Sequence, residues 1–160
     1  MNKKVLSVLV DNTSGVLSRI AGLFSRRGYN IDSLTVGETE NPLYSRMTIV
    51  ARGDDDILEQ IEKQVTKLED VISVDVLVPA NSVTRELILV RVKTAPEQRQ
   101  QVVSMAEIFR ASVVDVAKDS LMIELTGGES KLEAFLSLLE NYEVLELVRT
   151  GISGLARGNK

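Results

Sequence analysis

The segment VDNTSGVLSRIAGLFSRRGYNID, residues 10–32, holds the side chains of this sequence best suited to grip a small molecule. Asp11-Asn12-Thr13-Ser14-Gly15 stands where an apolar run stops and a helical pattern starts, and Asn30 opens the next strand-like run. A loop feeding a helix N-terminus presents unpaired backbone N–H groups and a partial positive charge, which suit a carboxylate or another small anion. Gly15 lets a ligand approach the backbone closely. Asn12 both donates and accepts, so its two ends suit a carboxylate or an ammonium. Asn30 lies a helix length away, about 20 Å, and so cannot easily share a ligand with Asn12 of the same chain. Across two paired copies, Asn30 of one would face the Asn12–Gly15 loop of the other, with a small zwitterion between them. The plainer reading is that Asn and Ser before a helix are N-caps and that Gly marks a turn. The matching junction in the second half, VKTAPEQRQQ, has neither Gly nor Asn and starts its helix with Pro96. The first loop is therefore roomier and more polar than capping requires, and on the residues alone both readings stand.

The rest of the composition offers little catalytic chemistry. The 160 residues include no His, Cys or Trp, so the commonest general base and metal ligand are missing. Carboxylates, lysines and tyrosines could still move protons, but the balance argues against a stand-alone enzyme. Asp54-Asp55-Asp56 reads as a solvated first helical turn rather than a metal site, because consecutive carboxylates diverge. Arg26-Arg27 reads as charge complementing a helix C-terminus rather than a phosphate patch. Met105 and Met122 read as core. A net charge of −4 and a pI near 5.0 argue against nucleic-acid binding. The apolar run in MNKKVLSVLVDN is too short for a signal-peptide core, and no window approaches eighteen apolar residues. The cytoplasm is the expected location.

These residues must be positioned by a pattern that occurs twice. Residues 4–10 read as a strand and 16–27 as a helix with Val16, Leu17, Ile20, Ala21, Leu23 and Phe24 on one face. Gly28 is a natural helix stop. Residues 30–37 and 44–52 alternate as strands around the turn ENP, followed by a helix at 55–68 and a strand at 71–78. PANSVTR, 79–85, reads as a linker. The order then repeats: strand 86–93, helix 96–110, strands 112–117 and 120–126, helix 130–141, strand 143–149, and a Gly-rich basic tail GISGLARGNK. The fold class is α+β, two consecutive ferredoxin-like βαββαβ domains over 1–78 and 86–160, each one antiparallel sheet with two helices on one face. Right-handed crossovers give strand order 4-1-3-2, which leaves the strand beginning at Asn30 on an edge open to a second copy.

LSVLVDNTSGVLSRIAGLFSRRGYNIDSLTVGETENPLYSRMTI, followed by LEQIEKQVTKL, VTRELILVRV, AEIFRASVVDV and GISGLARG, resembles the regulatory small subunit of acetohydroxyacid synthase (acetolactate synthase), whose N-terminal half is an ACT domain. The resemblance spans essentially the whole chain, in order. It implies a homodimer through the ACT domains, without catalysis or cofactor of its own. The partner would be a catalytic large subunit carrying thiamine diphosphate, magnesium and FAD. The small subunit would raise that enzyme's activity and confer feedback inhibition by valine, in branched-chain amino acid biosynthesis. It implies that valine contacts the loop matching Asn12, Thr13, Ser14, Gly15, Val16 and Leu17, together with Asn30 and Ile31. Gly15, Asn30 and Gly37 match positions linked to valine sensitivity, the last commonly alanine in the family. Leucine and isoleucine are expected to be weaker effectors. No nucleic acid or membrane is implied.

Rival readings with the same element order fit less well. An RNA-recognition domain needs aromatics on its first and third strands, where KVLSVLV has none and the third has Tyr44 alone. An acylphosphatase-type hydrolase needs an arginine in the first strand–helix loop, and DNTSG has none. An ACT sensor for a different enzyme or a transcription regulator is the nearer alternative, and the full-length resemblance argues against it.

Overall fold

The computed structural model describes residues 2–158, so Met1, Asn159 and Lys160 of the ranges above lie outside it. The chain forms two compact units, one of residues 2–84 and 152–158, the other of residues 85–151. The first contains β1 (Asn2–Asp11), α1 (Val16–Arg27), β2 (Asn30–Glu38), β3 (Tyr44–Gly53), α2 (Asp55–Thr66) and β4 (Val71–Leu77). Its antiparallel sheet runs β2-β3-β1-β4, the expected 4-1-3-2 order with β2 on an edge. Alternation explains its two faces. Leu6, Val8 and Val10 of β1 and Met47, Ile49 and Ala51 of β3 point to the helices. There they meet Val16, Ile20, Leu23 and Phe24 of α1 and Leu58, Ile61 and Val65 of α2. The opposite face carries Ser7, Thr48 and Thr35, which lie side by side in register on β1, β3 and β2.

After a 3-10 turn at Pro79–Asn81 comes β5 (Ser82–Lys93), which leads into the second unit. That unit adds α3 (Arg99–Ile108), β6 (Ser112–Val116), β7 (Ser120–Gly127), α4 (Glu129–Leu138) and β8 (Glu143–Arg149). Its sheet order, β6-β7-β5-β8, repeats the first. Ile88, Val90, Val92, Leu121, Ile123 and Leu125 form its core with Val102, Leu132 and Phe135. Both halves are thus ferredoxin-like.

Three local expectations need correction. The helix expected from residue 96 begins at Arg99. Gln98 Oε1 accepts the Ala95 N–H at 2.9 Å while the Gln98 N–H donates to Ala95 O at 2.9 Å, closing a separate turn around Pro96. The expected linker at 79–85 is one short turn, and its second half is already strand. The tail does not belong with the second half: β9 (Ser153–Ala156) returns to the first unit and pairs with β5. Its Gly154 N–H donates to Thr48 Oγ1 at 3.3 Å, and Thr35 Oγ1 donates to Ile152 O at 3.3 Å. The Arg157 N–H donates to Asn81 O at 2.8 Å and its Nε to Ser82 O at 3.3 Å. The hydroxyl row on the helix-free face is what receives the tail.

Gly154 is seated too closely for any side chain. A Cβ there would lie 2.8 Å from Thr84 Cγ2, 2.9 Å from Leu77 Cδ1 and 3.2 Å from Val83 O. Gly154→Val is expected to destabilise the first unit by about 1–3 kcal/mol through overpacking. Urea denaturation followed by hydrogen exchange at β3 amides checks this, and an unchanged midpoint would show that the tail is not seated there.

Candidate ligand-binding site

The β1–α1 loop is held by backbone and by one side chain. The Asp11 N–H donates to Asp70 O at 2.9 Å and the Asn12 N–H to Leu43 O at 2.8 Å. Asn12 Nδ2 donates to Pro42 O at 3.0 Å, and Ser45 Oγ donates to Asn12 Oδ1 at 3.0 Å. Asn12 is therefore a brace between the loop and the start of β3, with one amide hydrogen and one lone pair left over.

Gly15 is the N-cap of α1, at φ 87° and ψ −10°. This left-handed conformation suits glycine, because a Cβ would crowd the backbone. No side chain caps the helix, and its first turn contains no acidic residue. The plainer reading of Asn12, Thr13 and Ser14 as N-caps is thus not what the structure shows. Helix α2 makes the contrast: Asp54 caps it by accepting the Ile57 N–H at 2.9 Å, and Asp55 and Asp56 fill its first turn.

Arg19, one turn into α1, folds back over this bare terminus. A Cβ on Gly15 would lie 2.9 Å from its Nη1. Arg19 Nε donates to the Asp70 carboxylate. That bond raises the Arg19 pKa and holds the Asp70 carboxyl below the usual carboxylate range. Uncapped N–H groups, the helix dipole and a guanidinium converge here, the guanidinium bonded to Asp70 and close enough to Glu69 to feel its charge, which is an arrangement for receiving an anion. The local sequence pattern does not single out Arg19. Its signal was the four-residue spacing from Gly15, which sets both on one helix face.

The apolar lining is divided. Val16 is 3% exposed and committed to the core, whereas Leu17 is 46% exposed. Beyond α1, the Gly28 N–H donates to Ser25 O at 3.3 Å and the Tyr29 N–H to Phe24 O at 3.0 Å, a Schellman stop. Phe24 and Tyr29 close it edge to face, with ring centroids 5.9 Å apart. Asn30 emerges exposed, and Ile31 is partly buried against the core. Arg52 grips Asp32 through Nε at 3.0 Å and Nη2 at 2.5 Å.

The register fixes the distances between these parts. Asn30 pairs with Arg52, which pairs with Lys3, while Asp11 pairs with Tyr44 at the other end of β1. Eight residues of strand separate the two ends, about 26 Å. Within one chain the Asn12–Leu17 loop and the Asn30–Ile31 pair therefore lie at opposite ends of the sheet. Gly37 pairs with Arg46 near the loop's end but on the helix-free face. The nine residues occupy three places, and β2, which carries three of them, pairs with no described strand on its outer side. Among the described residues no cluster of three or more Asp and Glu could hold a metal ion, and no helix is long and apolar enough to cross a membrane.

Two outcomes follow. Gly15→Ala is expected to cost about 1–2 kcal/mol, because alanine is strained at positive φ; urea denaturation measures it. The Asp32 carboxyl is held below its ordinary value, first by the hydrogen bond from Arg52. Its stabilising effect is therefore full above the unfolded value near 3.9 and lost as pH falls through the lowered folded value. Carboxyl NMR titration should place the Asp32 midpoint below about 3.9, and Asp32→Asn should flatten the acid limb of the stability curve.

Comparison with known proteins places this geometry in a family. A family model described as the small subunit-like ACT domain of acetohydroxyacid synthase matches residues 6–73, and one described as the small subunit of acetolactate synthase matches residues 85–158. The chain is 52% identical over 158 residues to the "Probable acetolactate synthase small subunit" of Archaeoglobus fulgidus, covering 99% of each. It is 46% identical to the acetolactate synthase isozyme 3 small subunit of Escherichia coli, covering 99% of this chain and 98% of that one. The crystal structure of the acetolactate synthase small subunit from Thermotoga maritima superposes with a TM-score of 0.91 at 44% identity, over 100% of both chains. The two repeated βαββαβ halves, the first an ACT domain, thus belong to a member of the acetolactate synthase small-subunit family.

Proposed function

We propose that this chain is the regulatory subunit of an acetohydroxyacid synthase. It binds a separate catalytic large subunit in the cytoplasm, raises its activity and confers feedback inhibition by valine. Thiamine diphosphate, magnesium and FAD belong to the catalytic subunit. The observation that carries the effector site is the uncapped α1 terminus behind Gly15, with Arg19 folded over it, in a small-subunit ACT domain.

Antiparallel pairing of two β2 edges about Leu34 would bring Asn30 of one subunit opposite Glu38 of the other. Glu38 pairs with Ser45, whose hydroxyl holds Asn12. Asn30 then stands at the end of the sheet that carries the other subunit's loop. Valine fits such a site. Its carboxylate meets the free N–H groups of the first turn and the Arg19 guanidinium, and its ammonium meets the Asn30 side-chain oxygen. Its isopropyl group lies against Leu17 and Ile31, contributing about 1.5–2 kcal/mol. An apolar pocket separates neighbouring aliphatic side chains by only about 10–200-fold, so leucine and isoleucine bind more weakly but measurably. Feedback requires that valine bind one state of the dimer more tightly than another.

Calorimetric titration of valine into the purified chain, and into its complex with the catalytic subunit, tests this reading. Saturable binding is expected, lost in Asn30→Ala and in Gly15→Asp while sedimentation shows an intact dimer. Binding unaffected by both substitutions, or absent from chain and complex alike, would overturn it.

A further inference from the structure

The helix-free face of the first sheet carries an open groove of about 620 Å³, of whose lining the valine reading includes only Gly37. Its lining comes from β2, β3, the start of β5 and the returning tail, including Gly37, Arg46, Thr48, Val83 and Leu155. Arg46 is the cation on its floor. Its Nη1 donates to Ser7 Oγ at 3.0 Å, and Ser7 is 2% exposed. Among the described residues no carboxylate pairs with Arg46. The other sheet arginines that face acids are engaged: Arg52 by Asp32, Arg91 by Asp115 and Glu146, and Arg149 by Glu86 and Glu133.

Gly37 stands directly across from Arg46 on the same face. Its φ is not in the left-handed region, and a Cβ there would meet nothing within 4 Å. Neither the backbone nor packing demands glycine here. A glycine within a strand weakens it and commonly marks a place where a ligand comes close. Its missing side chain leaves room beside the Arg46 guanidinium. Val83 and Leu155 supply apolar wall, while Glu38 and Glu40 also line the groove. The two acidic residues repel a dianion more strongly than a single negative charge, which the Arg46 guanidinium alone must offset.

We propose that this groove is a second ligand site, for a small organic monocarboxylate. Arg46 binds the carboxylate, its orientation set by Ser7, and Gly37 provides the space. The apolar body of the ligand rests against Val83 and Leu155. The site lies on the face of the sheet away from α1 and requires no ammonium on the ligand, which separates it from the valine reading.

Isovalerate is the probe, a branched carboxylate without an amino group, titrated into the full chain and followed by backbone amide NMR. Saturable shifts are expected in β2, β3 and the Gly154–Leu155 amides. Arg46→Met should weaken binding at least tenfold, and Arg46→Lys should restore part of it. Gly37→Leu, which leaves the Arg46–Ser7 bond intact, should abolish binding with the fold retained. Asn30→Ala should leave it unchanged, whatever that substitution does to valine. Inorganic phosphate and the neutral isovaleramide should each bind at least tenfold more weakly. Absence of saturable shifts, equal affinity for isovaleramide, or shifts confined to residues 15–18 would overturn the proposal.

Discussion

The first unit depends on the alternation of β3, a central strand that must satisfy two different surfaces at once. Met47, Ile49 and Ala51 close the core under the helices, so Arg46, Thr48 and Val50 are forced onto the other face. A one-residue slip would exchange the two sets and lose both. The core residues supply the hydrophobic stabilisation. The hydroxyls on the other side, together with Ser7 and Thr35, remain available to bond the tail and the Arg46 guanidinium. Seat for the tail and floor of the groove are consequences of the same register that builds the core.

The β1–α1 junction shows how a helix end can be left open at small cost. Most helix starts are satisfied by a side-chain oxygen, as Asp54 does for α2. At Gly15 that role is given up, and the loop is instead fixed by Asn12 bridging to Pro42 and Ser45 and by the backbone bond to Asp70. The loop is thereby rigid without consuming the N–H groups it presents. Arg19 would by itself be unfavourable near the positive end of a helix dipole, and its bond to Asp70 offsets that. The outcome is a preorganised positive site whose counter-charge belongs to the neighbouring segment.

Much of the fold was legible because periodicity reports burial directly. Val16, Ile20, Leu23 and Phe24 recur at helical spacing, and β3 alternates, so element types and the 4-1-3-2 order follow from pattern and handedness. Local chemistry was harder to read. Asn12 reads as a ligand group, and its amide also serves as a brace, with one hydrogen and one lone pair left over. Nothing local singles out Arg19, because its partner, Asp70, is 51 residues away in sequence. Pro96 looked like a helix start, but a turn closed by Gln98 takes precedence there.

The sequence by itself determined the two repeated halves, the edge position of β2, the poverty in catalytic groups and the glycine-led junction. Each of these is written in local pattern or composition. Only the tertiary structure decided where the tail goes, because four short residues carry no periodicity and their partners, Thr35 and Thr48, lie over 100 residues earlier. It also decided that Gly37 faces Arg46 and not the Asn12 loop. That depends on which strand lies beside β2 and in what register, and a one-residue shift would have turned the same glycine to the opposite face.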